Sequence, residues 1–264
     1  MTAADRRAAF RALHERNRLF LMPNPWDVGS ARLLAALGFE ALATTSQGFA
    51  WSIGKRDQTV TRDELVEHVA AVAAATPLPL NVDSERLYPD DPGGVGETVR
   101  LLAEAGAAGC SIEDYDPAAG GLDDVAVAAE RVAAAAAVKG DVTLTARCES
   151  HLYGGSDLDD TIARLVAYRD AGADVVYAPG LTDLAQIAAV VAAVGIPVNV
   201  LGLPTGPTMS ELESVGVRRV SVGSLLASAA YAALVAGGRE LLDEGTSTYA
   251  RSRVPEELRG QAFG

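Results

Sequence analysis

The sequence predicts a closed parallel (β/α)8 barrel of the TIM type, in one domain over residues 1–264 with a polar tail from about 238. Three observations carry that expectation. About eight short apolar runs alternate with helix-patterned stretches, the order of parallel strands joined by crossover helices. The runs are apolar throughout, as strands covered on both faces are. The Gly-rich turn that opens a doubly wound dinucleotide fold is missing, since Pro23-Asn24-Pro25 follows the first run. A doubly wound sheet is the alternative architecture.

Residues 7–17 read as a short amphipathic helix, and Leu19 to Pro23 as the first strand. Asp27 caps a helix that carries Leu33, Leu34 and Leu37 and stops at Gly38. Ala41 to Ser46 is strand two, followed by a long loop over 47–61. Thr61 with Glu64 three residues on is a capping box for a helix reaching Ala75. Pro79 to Val82 is strand three, and a Pro/Gly/Asp loop over 88–96 leads to a helix ending before Gly106. Gly93-Gly94-Val95-Gly96-Glu97 lacks the Lys-Ser/Thr ending of a phosphate loop and reads as a flexible connection. Strand four is Gly109 to Ile112, then a loop and an Ala-rich helix over 125–138. Later strands are Val142–Arg147, Val175–Ala178, Pro197–Leu201 and Arg219–Val222, with helices over 157–171, 184–194, 210–214 and 225–236.

A formal charge of −13 argues against nucleic acid, because phosphate binding wants a basic face. Charges interrupt every long apolar run, so no membrane span is expected, and the charged N-terminus carries no secretion signal. The expected location is cytoplasmic. Cys110 and Cys148 fall near strand ends and read as small buried residues, with no zinc-ligand spacing.

In a barrel of this kind the carboxyl ends of the strands build the active site. Asp83-Ser84-Glu85 closes strand three with acids two residues apart, and alternation would turn both to one side. Ser111-Ile112-Glu113-Asp114 repeats the design on strand four. Hard oxygen donors with room for water suit Mg²⁺; solvated strand ends or helix caps would also use such residues. Arg147, ending strand five, either clamps a substrate carboxylate or pairs with Glu113 or Glu149. His151 is either a loop residue or an acid. Schiff-base chemistry is disfavoured, since Lys55 and Lys139 are the only lysines and neither ends a strand.

With Asn24-Pro25-Trp26-Asp27, Thr145-Ala146-Arg147, Pro197-Val198-Asn199 and Gly216 to Gly223 added to these acids, the chain resembles the isocitrate lyase / phosphoenolpyruvate mutase superfamily over almost its whole length. The resemblance implies an α/β barrel, often with its last helix exchanged between subunits in a dimer of dimers. It implies Mg²⁺ (or Mn²⁺) and a 2-oxo acid or dicarboxylate handled through an enolate. Asp83 would hold the metal directly, and Asp57, Glu85 and Glu113 through water. Thr45, Ser46, Gln47 and Arg147 would grip the oxo-acid carboxylate, with Asn199 as a polar wall. The expected chemistry is a C–C lyase or an oxaloacetate-type decarboxylase or hydrolase. A phosphonopyruvate-type mutase or hydrolase, or a non-catalytic oxo-acid-binding protein, are the alternatives.

The departures fall after strand four. The superfamily's lyases carry a Cys-Gly-His loop there and its phosphonomutases a Lys and an Asn, whereas Asp114-Tyr115-Asp116-Pro117-Ala118-Ala119-Gly120-Gly121-Leu122 has none of them. Pro179 stands where the lyases have a Glu. The stripped loop leaves Tyr115 as the candidate proton carrier or as a rim-packed tyrosine, on a segment 115–124 expected to act as a mobile lid.

Overall fold

The structure, a computed structural model, describes residues 1–155 and 157–264. The strands are β1 (Phe20–Met22), β2 (Leu42–Ala43), β3 (Leu80–Val82), β4 (Gly109–Glu113), β5 (Tyr115–Asp116), β6 (Gly121–Leu122), β7 (Thr143–Arg147), β8 (Val175–Tyr177), β9 (Val198–Leu201) and β10 (Arg219–Ser221). Eight of them run parallel in the order β1-β10-β9-β8-β7-β4-β3-β2. Ala43 N donates to Pro23 O at 3.0 Å and joins the two ends, so the sheet is a (β/α)8 barrel. β5 and β6, within the segment expected to act as a mobile lid, form a separate antiparallel ribbon.

The helices are α1 (Ala3–Glu15), α2 (Val28–Ala36), α3 (Ser46–Ser52), α4 (Arg62–Ala75), α5 (Gly94–Glu104), α6 (Val125–Val138), α7 (Leu158–Asp170), α8 (Leu184–Val194), α9 (Met209–Ser214), α10 (Leu225–Asp243) and α11 (Glu256–Phe263). Asp27 Oδ1 accepts from Ser30 N at 2.6 Å and Thr61 Oγ1 from Glu64 N at 3.3 Å, so both expected caps form. The expected loop after strand two instead opens with α3, capped by Thr45 Oγ1 accepting from Gly48 N. Seven residues with no charge and an Ala/Gly/Ser-rich composition give little helical periodicity to read.

Alternation along each strand divides the core in two. Outward residues such as Val82, Cys110, Ile112, Leu144, Val176 and Val220 are buried under the helices. The lumen is unusual, since branched aliphatic side chains normally fill it. Here Asn81, Ser111, Thr145, Asn199 and Ser221 line it together with Met22 and Ala43. α1 closes the floor with Phe10 and Leu13 against Phe20 and Met22. Gly109 is required there, because a Cβ would lie 2.7 Å from both Asn81 Oδ1 and Phe10 Cε1.

Neighbouring strands set Glu113, Arg147, Tyr177, Asn199 and Arg219 in one line of register partners. Parallel partners share a face, and strands tilt against the barrel axis. The line therefore descends from the mouth, where Arg147 ends β7, to the floor, where Arg219 begins β10. Arg219 is 1% exposed; its Nε donates to Asn199 Oδ1 at 2.8 Å and its Nη2 to Thr145 Oγ1 at 3.0 Å. Its Nη1 meets His14 Nε2 at 3.3 Å, while His14 Nδ1 faces Phe10 O at 2.8 Å. Those partners select the neutral ring with its proton on Nδ1.

Burial, and then the charge of Arg219, pushes the His14 pKa from 6.5 down to about 3. A depressed pKa stabilises the fold fully above the unfolded value of 6.5, and that contribution is lost as pH falls toward 3. The rate of loss is about 1.4 kcal/mol per pH unit. Between pH 6.5 and 4 the wild type should lose roughly 3 kcal/mol more than His14→Gln in urea titrations. Parallel stability curves for the two proteins would remove His14 from the acid transition.

α10 buries only Ala227 and Gly237, and exposes Leu234 at 68% and Leu242 at 87%. The sequence reading set aside any membrane span, yet by length and composition this helix is long and apolar enough to cross one. Residues 238–264, read as a polar tail, hold the end of α10, a 3₁₀ turn at Thr248–Arg251 and α11, whose Ala262 is buried.

Candidate active site

The carboxyl ends of the strands surround a cleft of about 320 Å³. Asp83 follows β3 directly: its N–H donates to Thr44 Oγ1 at 2.8 Å, and its Oδ2 accepts from Ser46 N at 2.9 Å. Arg147 leans across the mouth. Its Nη1 lies 2.6 Å from Asp83 Oδ1 and 2.8 Å from Glu113 Oε1, and its Nε donates to Glu149 Oε1 at 2.7 Å. The guanidinium sits 5.2 Å from the centre of the Tyr177 ring, in cation–π range. Both roles weighed for Arg147 thus concern one position: it is ion-paired and it also lines the cleft.

Glu85 reaches this cluster by a different route from strand alternation. β3 stops at Val82, and Glu85 sits in a turn at φ +49°, in the left-handed region that side chains rarely adopt. Among the described residues its Oε1 is buried without a hydrogen-bond partner, and so is Asp57 Oδ1. Burial first, then the charges of Asp57 and Asp83, pushes the Glu85 pKa up to about 8. Burial likewise raises Asp57 and, well above its usual range, Glu113, where Arg147 only partly opposes it. Burial alone would lower Arg147, but Glu113, Glu149 and Asp83 outweigh it and hold its pKa above the ordinary value. Asp57, Asp83, Glu85, Glu113 and Glu149 are therefore five carboxylates gathered around one guanidinium.

Thr45, Ser46, Gln47 and Asn199 line the same cleft. Gln47 Oε1 accepts from Ser224 Oγ at 2.5 Å, tying the α3 turn to the loop before α10. Asn199 Nδ2 donates to Ser221 Oγ at 2.9 Å. Asp114 turns outward, its Oδ2 accepting from Tyr168 Oη at 2.6 Å. His151 faces α7, its Nε2 3.1 Å from Thr161 Oγ1, and neither His151 nor Tyr115 lines the cleft. Tyr115 stacks on Tyr153 with ring centres 3.5 Å apart and planes 3° apart. Burial, Glu113 and Glu149 raise the Tyr153 hydroxyl above its usual range, placing that ring within electrostatic reach of the acids.

Sequence reading assigned no role to Tyr153 or Arg219. Arg219-Val220-Ser221 did carry a signal, since an outward Val between two polar residues turns both of them into the lumen. Nothing local marked Tyr153, whose position depends on the ribbon of β5 and β6.

A family described as phosphoenolpyruvate phosphomutase matches residues 10–242. The chain belongs to that family. A candidate lyase/mutase from Burkholderia cenocepacia J2315 superposes with a TM-score of 0.93 at 50% identity, covering 99% of this chain and 97% of its own. An oxaloacetate decarboxylase of a Bradyrhizobium strain is 31% identical over 84% of this chain and 79% of its own. An oxaloacetate acetylhydrolase solved with its product oxalate superposes with a TM-score of 0.86 at 27% identity, covering 97% of this chain and 94% of its own. The family is that of a mutase, these relatives are named as a lyase/mutase, a decarboxylase and an acetylhydrolase, and the chain is an enzyme of this superfamily.

Proposed function

We propose that the cleft binds a 2-oxo acid beside a divalent cation, Mg²⁺ or Mn²⁺, and makes or breaks a carbon–carbon bond next to the carbonyl. The observation that carries this reading is the pair of buried, unpartnered oxygens, Asp57 Oδ1 and Glu85 Oε1, in the cluster around Asp83. An uncompensated buried acceptor costs about 1–3 kcal/mol, and two together in a carboxylate cluster fit a site for a hydrated cation. Among the described residues no three His, Cys, Asp or Glu side chains converge as a full ligand cage. In this reading Asp83 would be the direct ligand, with Asp57, Glu85 and Glu113 holding the cation through water, as a Mg²⁺ ion that keeps several waters allows. When bound, the cation supplies Lewis acidity toward the 2-oxo oxygen and a developing enolate.

The chain's own groups do the rest. The α3 turn, Thr45 to Gln47, receives the substrate carboxylate. Arg147 orients it, since its Nη2 makes no hydrogen bond among the described residues. Tyr115, on the ribbon, is the proposed proton carrier, held by its stack on Tyr153. We also read α10 as packing against a second copy of the chain, which would cover Leu234 and Leu242.

The test is calorimetric titration of oxalate with and without Mg²⁺, then turnover of a 2-oxo-acid panel with and without EDTA. Mg²⁺-dependent oxalate binding with EDTA-sensitive turnover is expected. Binding without any turnover would make the protein an oxo-acid binder. Tyr115→Phe should slow turnover about 10²-fold or more while oxalate affinity stays within threefold, the split expected of a proton carrier. A fully active Tyr115→Phe would leave its ring as rim packing.

A further inference from the structure

The far wall of the cleft differs in character from the acid cluster. Leu152, Pro179 and Leu203, on three loops, line it with Leu201 at the end of β9 and Leu225 at the start of α10. Leu152 is 47% and Leu225 36% exposed, so apolar surface stands open to water at the mouth.

Arg147 and Arg219 are the cations that line the cleft among the described residues. Arg56, beside the lining Asp57, is exposed and does not itself line the cleft. Arg147 is held by three carboxylates and faces the α3 turn side. Arg219 bonds Thr145, two residues deeper along β7 than Arg147, which is about 6.6 Å further down. Arg86 and Arg131 pair with Asp123, Arg164 with Asp114 and Asp160, and Lys55 with Glu64.

Three backbone donors near the wall are committed. Val222 N and Gly223 N donate to Asn24 Oδ1 at 2.8 and 3.0 Å, and Leu225 N donates to Val222 O at 3.2 Å. A second carboxylate placed against these side chains would give up part of its hydration, meet no cation on that wall and share the cleft with Asp57 and Asp83, which is costly.

Resting on the 2-oxo-acid reading above, we infer that the substrate carries an alkyl arm on the side of the carbonyl away from its carboxylate, and no second carboxylate. This departs from the dicarboxylate in the names of the oxaloacetate-acting relatives. The arm lies against Leu152, Leu203 and Leu225, and Pro179 stiffens the wall between them.

The test is competition against oxalate in the presence of Mg²⁺, read by calorimetry, with pyruvate, 4-methyl-2-oxopentanoate and 2-oxoglutarate as probes. Each methylene buried tightens binding about fourfold. The branched acid, three carbons longer than pyruvate, should therefore bind roughly sixtyfold tighter than pyruvate. 2-Oxoglutarate should bind no tighter than pyruvate. Leu203→Arg, a loop substitution, should reverse the order of the branched acid and 2-oxoglutarate. Oxalate binding accompanied by equal affinities, or by a preference for 2-oxoglutarate in the wild type, would overturn this inference alone. Failure of oxalate to bind with Mg²⁺ would overturn the site reading and the inference together.

Discussion

Arg147→Met should lower the unfolding free energy by about 3–5 kcal/mol at pH 8, the scale of breaking a buried ion pair from one side. The expectation follows from the count of charges. Arg147 is the one guanidinium in contact with Asp83, Glu113 and Glu149, and Glu113 and Glu149 are 4% and 1% exposed. Methionine keeps much of the stem's packing but leaves those carboxylates to desolvation and to one another. The folded pKa values of Glu113 and Glu149, already raised by burial, then stand still further above the unfolded ones. A raised carboxyl pKa leaves stability intact below the unfolded value, and stability is lost as pH rises through the folded value. The deficit should therefore be full at pH 8 and small near pH 4.5. Urea titrations at the two pH values check it, and an equal deficit at both would show that lost packing, not charge, is responsible.

Asp83→Ala should abolish metal-dependent turnover, by about 10³-fold or more if several kcal/mol of Lewis-acid stabilisation depend on it. The fold should survive, because Asp83 faces the mouth and Arg147 keeps Glu113 and Glu149. Its loss does free Ser46 N and one Arg147 bond, so a stability change of about 1–2 kcal/mol is expected. Two readouts separate the effects: thermal melting for the fold, and Mg²⁺-dependent oxalate affinity for the site. A variant that melts normally and responds to Mg²⁺ as the wild type does would remove Asp83 from the cation site.

Strand ends were legible because a parallel barrel makes each strand a short apolar run and its end a change to polar residues. Asp83, Glu113 and Arg147 sit at such changes, so their gathering at one mouth follows from the fold class. Caps were legible for a similar local reason, as at Asp27 and Thr61. Glu85 was named from an alternation that β3 does not extend to, and its left-handed turn has no signature in a non-glycine residue. The stacking of Tyr115 on Tyr153 depends on two loops 38 residues apart. Arg219 shows the limit most clearly. Its bonds to Asn199, Thr145 and His14 span separations of 20, 74 and 205 residues, set by barrel closure and by α1 beneath the floor.

That chain of bonds also gives the protein a resident spectroscopic probe. The sequence holds three histidines, and His14 alone ends a hydrogen-bonded line that begins at Asn199 in the cleft. Its ring nitrogens carry distinct tasks, one donating to Phe10 O and one receiving from Arg219. The ¹⁵N resonance of Nε2 is sensitive to the strength of that second bond. A ligand that draws Asn199 Oδ1 away from Arg219 would shift it, and one that touches only the upper wall would leave it in place. Occupancy of the lower cleft could thus be followed from the underside of the barrel, with no label near the reacting groups.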